Sequence, residues 1–156
     1  MSQQPQSATS PGAAAAAKLG IEFREIRYGK VSSVEEAAAA RGVSVAAVVK
    51  SLLVRRGEDD YLLVLVPGNR SISWPKLRAL LGVSRLSMPD ADTAFDVTGY
   101  RRGTITPLGL DLPVVVDERL MGTAVTLGSG EPGVAIGLDV DPLIAAFDAT
   151  VADVAD

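Results

Sequence analysis

Lys50-Ser51-Leu52-Leu53-Val54-Arg55-Arg56-Gly57-Glu58-Asp59-Asp60-Tyr61-Leu62-Leu63-Val64-Leu65-Val66 holds two short apolar runs on either side of a charged, glycine-bearing break. Lys50–Val54 and Tyr61–Val66 have strand length and strand composition, and Arg56–Asp60 has turn composition, so the segment predicts a β-hairpin. Pro67-Gly68-Asn69 then breaks the sheet. Two strands in direct succession depart from the strand–helix alternation that builds a doubly wound parallel sheet.

Upstream of the hairpin, Ser10 and Pro11 suit the N-cap and first position of a helix through Ala13–Leu19, with Gly20 to close it. Ile21–Tyr28 alternates apolar and charged residues with one slip, predicting a strand with a bulge. Ser33 and Glu36 form a capping box for a helix over Val34–Arg41, and Gly42 ends it. Ser44 caps a shorter helix running to Val48.

Downstream, Ser73-Trp74-Pro75 opens a helix to Leu81, and Pro89–Phe95 reads as another. Thr98–Gly109 carries three glycines and a proline and reads as a shaped loop. Strands follow at Val114–Asp117, Thr123–Leu127 and Val134–Leu138, and Asp141-Pro142 opens a last helix to Ala149. The expected order is α-β-α-α-β-β-α-α-loop-β-β-β-α. This is an α/β (α+β mixed) chain: a mixed, β-barrel-like sheet with helices packed outside. The expected organisation is a disordered polar tail at residues 1–9 and a single domain over 10–156.

Composition narrows the chemistry. Hydrophobic residues make up 47% and aromatics only 4%, so the core rests on Val, Leu, Ile and Ala. Cysteine and histidine are both missing, which excludes Cys/His zinc sites and Cys-His or Ser-His-Asp nucleophiles. No cofactor is implied. The first residues lack the pattern of a secretory signal, and no apolar run reaches membrane-spanning length. A cytoplasmic protein without a membrane partner is expected. The net charge is −4, yet 14 of the 15 Lys and Arg residues precede Gly103, against 10 of the 19 Asp and Glu. Such asymmetry allows a basic face toward phosphate, or an ordinary solvated surface.

Three places could carry function. Lys50 lies between Val48-Val49 and Leu52-Leu53. Its ammonium either snorkels to solvent or faces a cleft, where it could hold a phosphate, a carboxylate or a developing oxyanion. The loop Thr98–Gly109 is either a structural crossover or a main-chain reader of a small ligand. Gly128-Ser129-Gly130, leading to Gly133, is either a tight hairpin or places a small hydroxyl beside a ligand. Neither a Walker phosphate loop nor a dinucleotide fingerprint is present. The acids Glu58, Asp59 and Asp60 read as a solubilising turn.

Taken in order, these segments resemble the YbaK/ProX-type trans-editing domains, related to the insertion domain of bacterial prolyl-tRNA synthetases. The resemblance runs from Ile21 to Val154. It is carried by Ala37–Val43, Val49-Lys50-Ser51-Leu52, Leu65-Val66-Pro67-Gly68, Leu77–Leu81 with Gly82, Thr98-Gly99-Tyr100-x-x-Gly103-x-x-x-Pro107-x-Gly109, Asp117-Glu118 and Gly130-x-x-Gly133. Ser51 stands where the family usually has threonine, and Tyr28-Gly29 where a histidine is common.

The resemblance implies an editing-domain fold and metal-independent hydrolysis of the ester joining a wrong amino acid, such as alanine or cysteine, to the tRNA 3′ acceptor end. Lys50 matches the family's essential lysine. Ser51, Gly99, Gly103, Thr104, Ile105, Thr106, Pro107 and Gly109 would bind substrate, with Gly128, Ser129 and Gly130 at the pocket wall. Arg101-Arg102 could contact the acceptor end or be solvated. An aminoacyl-tRNA synthetase is a further partner that the resemblance leaves open. The amino acid, the tRNA and the oligomeric state are not legible. Two alternatives stand beside the deacylase: a non-catalytic tRNA- or nucleotide-binding module of the same fold, and a hydrolase of another small ester or amide.

Overall fold

The computed structural model of the chain describes residues 9–156, so the expected tail lies outside the described residues except for Thr9. The helices are α1 (Pro11–Leu19), α2 (Val34–Arg41), α3 (Trp74–Leu81), α4 (Ala91–Thr98) and α5 (Val140–Phe147). The strands are β1 (Arg24–Arg27), β2 (Val49–Gly57), β3 (Asp60–Pro67), β4 (Val114–Asp117), β5 (Ala124–Gly128), β6 (Val134–Asp139) and β7 (Thr150–Ala152).

Local chemistry sets most helix ends. Ser10 Oγ accepts from the Ala13 amide, and Ser33 Oγ accepts from the Glu36 amide. Each satisfies a donor that the first turn leaves unpaired. The Glu36 carboxylate reaches back one residue beyond the cap, to Ser32 N at 3.0 Å. Ser44 makes no such bond, and only a 3-10 turn, Val45–Ala47, forms where a short helix was expected.

Other boundaries shift as well. α4 begins at Ala91, not Pro89, because Asp90 takes the Thr93 amide as its cap; it continues to Thr98. β1 keeps only four residues of the expected strand, since the Ile21 amide bonds back to Ala16 at the end of α1. β7 was not expected at all.

The strands make two sheets. One is antiparallel, in the order β1-β6-β5. The other runs β2-β3-β4-β7, with the β2–β3 hairpin antiparallel and the β3–β4 and β4–β7 pairs parallel. The fold is therefore mixed, as expected. The barrel-like sheet does not close: among the described residues the two sheets meet through one parallel bridge, Val48 to Thr126.

β3 explains why its sequence is apolar throughout. Alternate side chains point to opposite faces of a sheet. Leu63 and Leu65 enter a core shared with Leu127, Ile136 and Leu143, while Leu62, Val64 and Val66 enter a second core with Leu77 and Val154. Each fully buried leucine contributes about 2 kcal/mol. β3 is thus the rigid centre of the larger sheet, and β2 is that sheet's edge. No helix among the described residues is long and apolar enough to cross a membrane.

Candidate active site

The bridge between Val48 and Thr126 is parallel, so the next residues of β2 and β5 run side by side before the sheets part. A cavity of about 490 Å³ occupies the gap. Lys50 and Ser51 line it from β2, Gly128 from the end of β5, and Gly103 and Ile105 from the loop after α4. α2 contributes Ala37 and Arg41, and Tyr28 adds an aromatic wall. Lys50 and two residues of the glycine-rich loop, Gly103 and Ile105, thus line one cavity.

Electrostatically the cavity is one-sided. Lys50, Arg41 and Arg102 line it, and no Asp or Glu is among the lining residues. Lys50 is half-buried and, among the described residues, has neither a hydrogen-bond nor an ion-pair partner. The amides of Gly103 and Ile105 likewise donate no hydrogen bond. Most of the remaining wall is apolar: Val31, Val34, Val48, Leu52, Leu53 and Met88 are part of it. A cavity lined by both unpaired donors and aliphatic side chains suits a ligand that joins an anionic or acyl part to a small apolar part.

The other expected site residues fall outside the lining, for visible reasons. Gly99 is the left-handed C-cap of α4. Thr104 Oγ donates to Arg101 O at 2.7 Å, and Thr106 Oγ is fully buried and accepts from Leu108 N at 3.3 Å. Pro107 is buried, and its carbonyl accepts from Leu110 N.

Gly109 and Gly130 accommodate Tyr100. A Cβ on Gly109 would stand 2.6 Å from Tyr100 Oη, and one on Gly130 would stand 2.6 Å from Tyr100 Cε1. Tyr100 Oη donates to Leu108 O at 2.8 Å, tying the loop shut, and burial pushes its phenol pKa up. Ser129 is fully buried, and its hydroxyl serves the hairpin carbonyls of Val134 (2.7 Å) and Glu131 (3.1 Å). It holds the turn, and Ser129 is not among the residues that line the cavity.

Gly128 has a different task. A Cβ there would lie 2.7 Å from Thr104 O and 2.8 Å from Ile105 O. Its hydrogen lets the loop approach β5 closely enough to form the cavity wall. The Gly130 amide, donating to Thr104 O at 2.9 Å, fixes the same loop from the next turn.

Sequence reasoning missed Arg41, Met88 and Pro89 as lining residues. For Arg41 a signal existed: it sits four residues after Ala37, on the same face of α2. Its Nη1 donates to Thr126 Oγ1 and its Nη2 to Tyr28 Oη, both at 3.1 Å. Its guanidinium also lies 5.3 Å from the centre of the Tyr28 ring.

Fold and cavity together define a mixed α+β scaffold around a pocket lined by basic and aliphatic residues, and comparison with known proteins gives the class. The family model for the aminoacyl-tRNA editing domain matches residues 29–146. The chain belongs to that family.

Its relatives include the proline–tRNA ligase of Thermosipho melanesiensis, 38% identical over 89 residues, which are 56% of this chain and 16% of the ligase. The proline–tRNA ligase of Desulfovibrio desulfuricans is 38% identical over 90 residues, 58% of this chain and 16% of the ligase. The chain thus matches only a small part of these relatives. The crystal structure of a proposed trans-editing enzyme for prolyl tRNA synthetase superposes with a TM-score of 0.85 at 28% identity, covering 94% of this chain and 95% of that one. A hypothetical protein superposes at 0.86 and 27% identity, covering 94% and 99%.

Proposed function

We propose that the protein is a trans-editing hydrolase that deacylates mischarged aminoacyl-tRNA, acting in the cytoplasm on the fidelity of translation. One observation carries the reading: Lys50, whose ammonium is unpaired, and Gly103 and Ile105, whose amides are unpaired, line the same cavity in a member of the editing-domain family. In the scheme, Lys50 holds the phosphate or ribose of the 3′-terminal nucleotide. The Gly103–Pro107 backbone holds the aminoacyl group, with the amides of Gly103 and Ile105 toward the ester carbonyl.

Water adds to the acyl carbon, and the bond from that carbon to the ribose oxygen breaks. The ribose oxygen takes up a proton, leaving free amino acid and tRNA with a free hydroxyl. The protein contributes orientation and stabilisation of the developing oxyanion, which can each lower a barrier by several kcal/mol. No His or Cys is available as base or nucleophile, and the scheme requires none. It also calls on no metal. The cavity's limited size acts as a sieve that admits a small wrong amino acid. The kinship with proline–tRNA ligases makes tRNA(Pro) the first substrate body to try.

The test is a deacylation panel of tRNA(Pro) carrying alanine, cysteine or serine, with prolyl-tRNA(Pro) as the control. Turnover of at least one mischarged species and sparing of the prolyl form are expected. Binding of the panel without turnover would instead make the protein a non-catalytic tRNA-binding module.

A further inference from the structure

Two chains of contacts start at the Glu25 carboxylate, and both end on one turn. Its Oε2 accepts from the Ser10 amide at 3.0 Å and from the Ser10 hydroxyl at 2.8 Å. Its Oε1 accepts from Arg27 Nη2 at 3.1 Å. Ser10 is fully buried and caps α1. Two residues on, the Gly12 amide donates to Ser129 O at 2.7 Å, and a Cβ on Gly12 would stand 2.9 Å from Ser129 Cα. Arg27 in turn pairs with Glu131 at 3.4 Å, and the Tyr28 amide donates to Gly133 O at 2.9 Å. α1 and β1 thus hold the turn between β5 and β6 at both ends.

That turn carries the loop of the cavity. The Gly130 amide donates to Thr104 O at 2.9 Å. Thr104 lies between Gly103 and Ile105, which line the cavity and whose amides are unpaired. The turn is also stiff, because the Ser129 hydroxyl bonds the Val134 carbonyl at 2.7 Å and accepts from the Glu131 amide at 3.1 Å. Close-packed interiors transmit displacement instead of absorbing it. A shift at Ser129 or Glu131 therefore reaches Gly130 and the loop. Lys50 sits on β2, whose register is set by β3.

We propose that Glu25 is a positioning residue for the reaction: through α1 and Arg27 its carboxylate sets where the amides of Gly103 and Ile105 stand relative to Lys50. This inference rests on the deacylase reading and deepens it. Ser10, Gly12, Glu25 and Arg27 all precede residue 29, where the match to the editing-domain family begins. The place calls for a carboxylate, which accepts from Ser10 on one oxygen and from Arg27 on the other. A carboxamide offers one acceptor oxygen and turns a donor toward the remaining arm.

The experiment measures kcat and KM of the full chain, Glu25→Ala and Glu25→Gln on alanyl-, cysteinyl- and seryl-tRNA(Pro). Thermal melting and amide NMR spectra of the isotope-labelled proteins accompany it. Glu25→Ala should lower kcat about tenfold while KM changes by less than about twofold, because a misplacement of about 1 Å at the reacting groups can cost about a hundredfold. Glu25→Gln, which keeps one acceptor, should fall between that variant and the wild type. The amide signals of Gly103 and Ile105 should move in both variants, and those of the β2–β3 hairpin should stay. Should Glu25→Ala fail to fold, Glu25→Gln, of nearly the same size, decides alone. In a folded variant, a wild-type kcat, a rise in KM alone, or unmoved Gly103 and Ile105 signals overturns the positioning role and leaves the deacylase standing. If the wild-type protein hydrolyses none of the three, the deacylase falls, and the amide signals alone decide whether Glu25 sets the loop.

Discussion

Gly128 and Thr104 are packed so closely that a single added carbon at position 128 would lie 2.7 Å from the Thr104 carbonyl oxygen. β5 and the loop after α4 therefore touch main chain to main chain, and this contact makes one wall of the cavity. Gly128→Ala should push the loop outward. Overpacking of this kind costs about 1–3 kcal/mol, and deacylation should fall by about tenfold or more because the amides of Gly103 and Ile105 move with the loop. Thermal melting and kcat/KM read the two effects. Wild-type activity in a folded variant would detach the loop from the chemistry.

Lys50→Ala should lower kcat/KM by about a hundredfold or more, the range seen when a single preorganised electrostatic contact to a reacting group is removed. The fold should survive. The ammonium has no partner to strand, and the β2–β3 pairing at Lys50–Val66 is a backbone register. Circular dichroism and single-turnover deacylation check both halves. Full activity would remove Lys50 from the mechanism.

The pH dependence should carry no histidine signature, since the chain contains none. With a free aminoacyl-tRNA, the substrate's own amine titrates near neutrality. With an N-acetylated aminoacyl-tRNA, that limb should vanish. Persistence of a sharp limb near about pH 6.5 with the blocked substrate would contradict a scheme built on Lys50 and main-chain amides.

Asp153 should contribute to the acid sensitivity of the fold, alongside Glu25, Asp60 and Asp90, whose carboxyls are also held below their ordinary range. Hydrogen bonds from Lys76, then from Arg119, hold the Asp153 carboxyl at about 2, below the ordinary 3.8. The folded-state value is depressed, so the unfolded chain binds more protons in the interval between the two. The stabilisation is present above the ordinary carboxylate range and is lost as pH falls toward 2. Asp153→Asn should lower the urea midpoint at neutral pH and flatten its decline between about pH 4 and 2. A parallel decline in variant and wild type would place the acid sensitivity elsewhere.

Much of the fold could be read from short-range chemistry. The Ser33–Glu36 pair located α2 to the residue, and the alternation of runs and turns located the β2–β3 hairpin, because both signals act within a few positions. β7 escaped notice: three residues following a helix carry no period, and its pairing with β4 is set by tertiary packing. The division into two sheets escaped for the same reason, since it depends on where Val48 meets Thr126, 78 positions apart in the chain.

At the site, Lys50 and the glycine-rich loop could be named from sequence, because a charge within an apolar run and clustered glycines are locally anomalous. Arg41 was not, since an arginine before a helix-ending glycine is also what a helix C-terminus favours. Gly109, Ser129 and Gly130 drew attention for a sound reason but a different cause: they accommodate the ring of Tyr100 or fix the hairpin.

The bridge from Val48 to Thr126 that joins the sheets has an evolutionary corollary. Lys50 rides on one sheet and Gly128 on the other, so the bore of the pocket is a property of the seam and not of either half. If the protein is the deacylase proposed above, substitutions that widen or narrow that seam would retune which acyl groups are admitted while Lys50 stays where it is, and a lineage could change its clientele without rebuilding its chemistry.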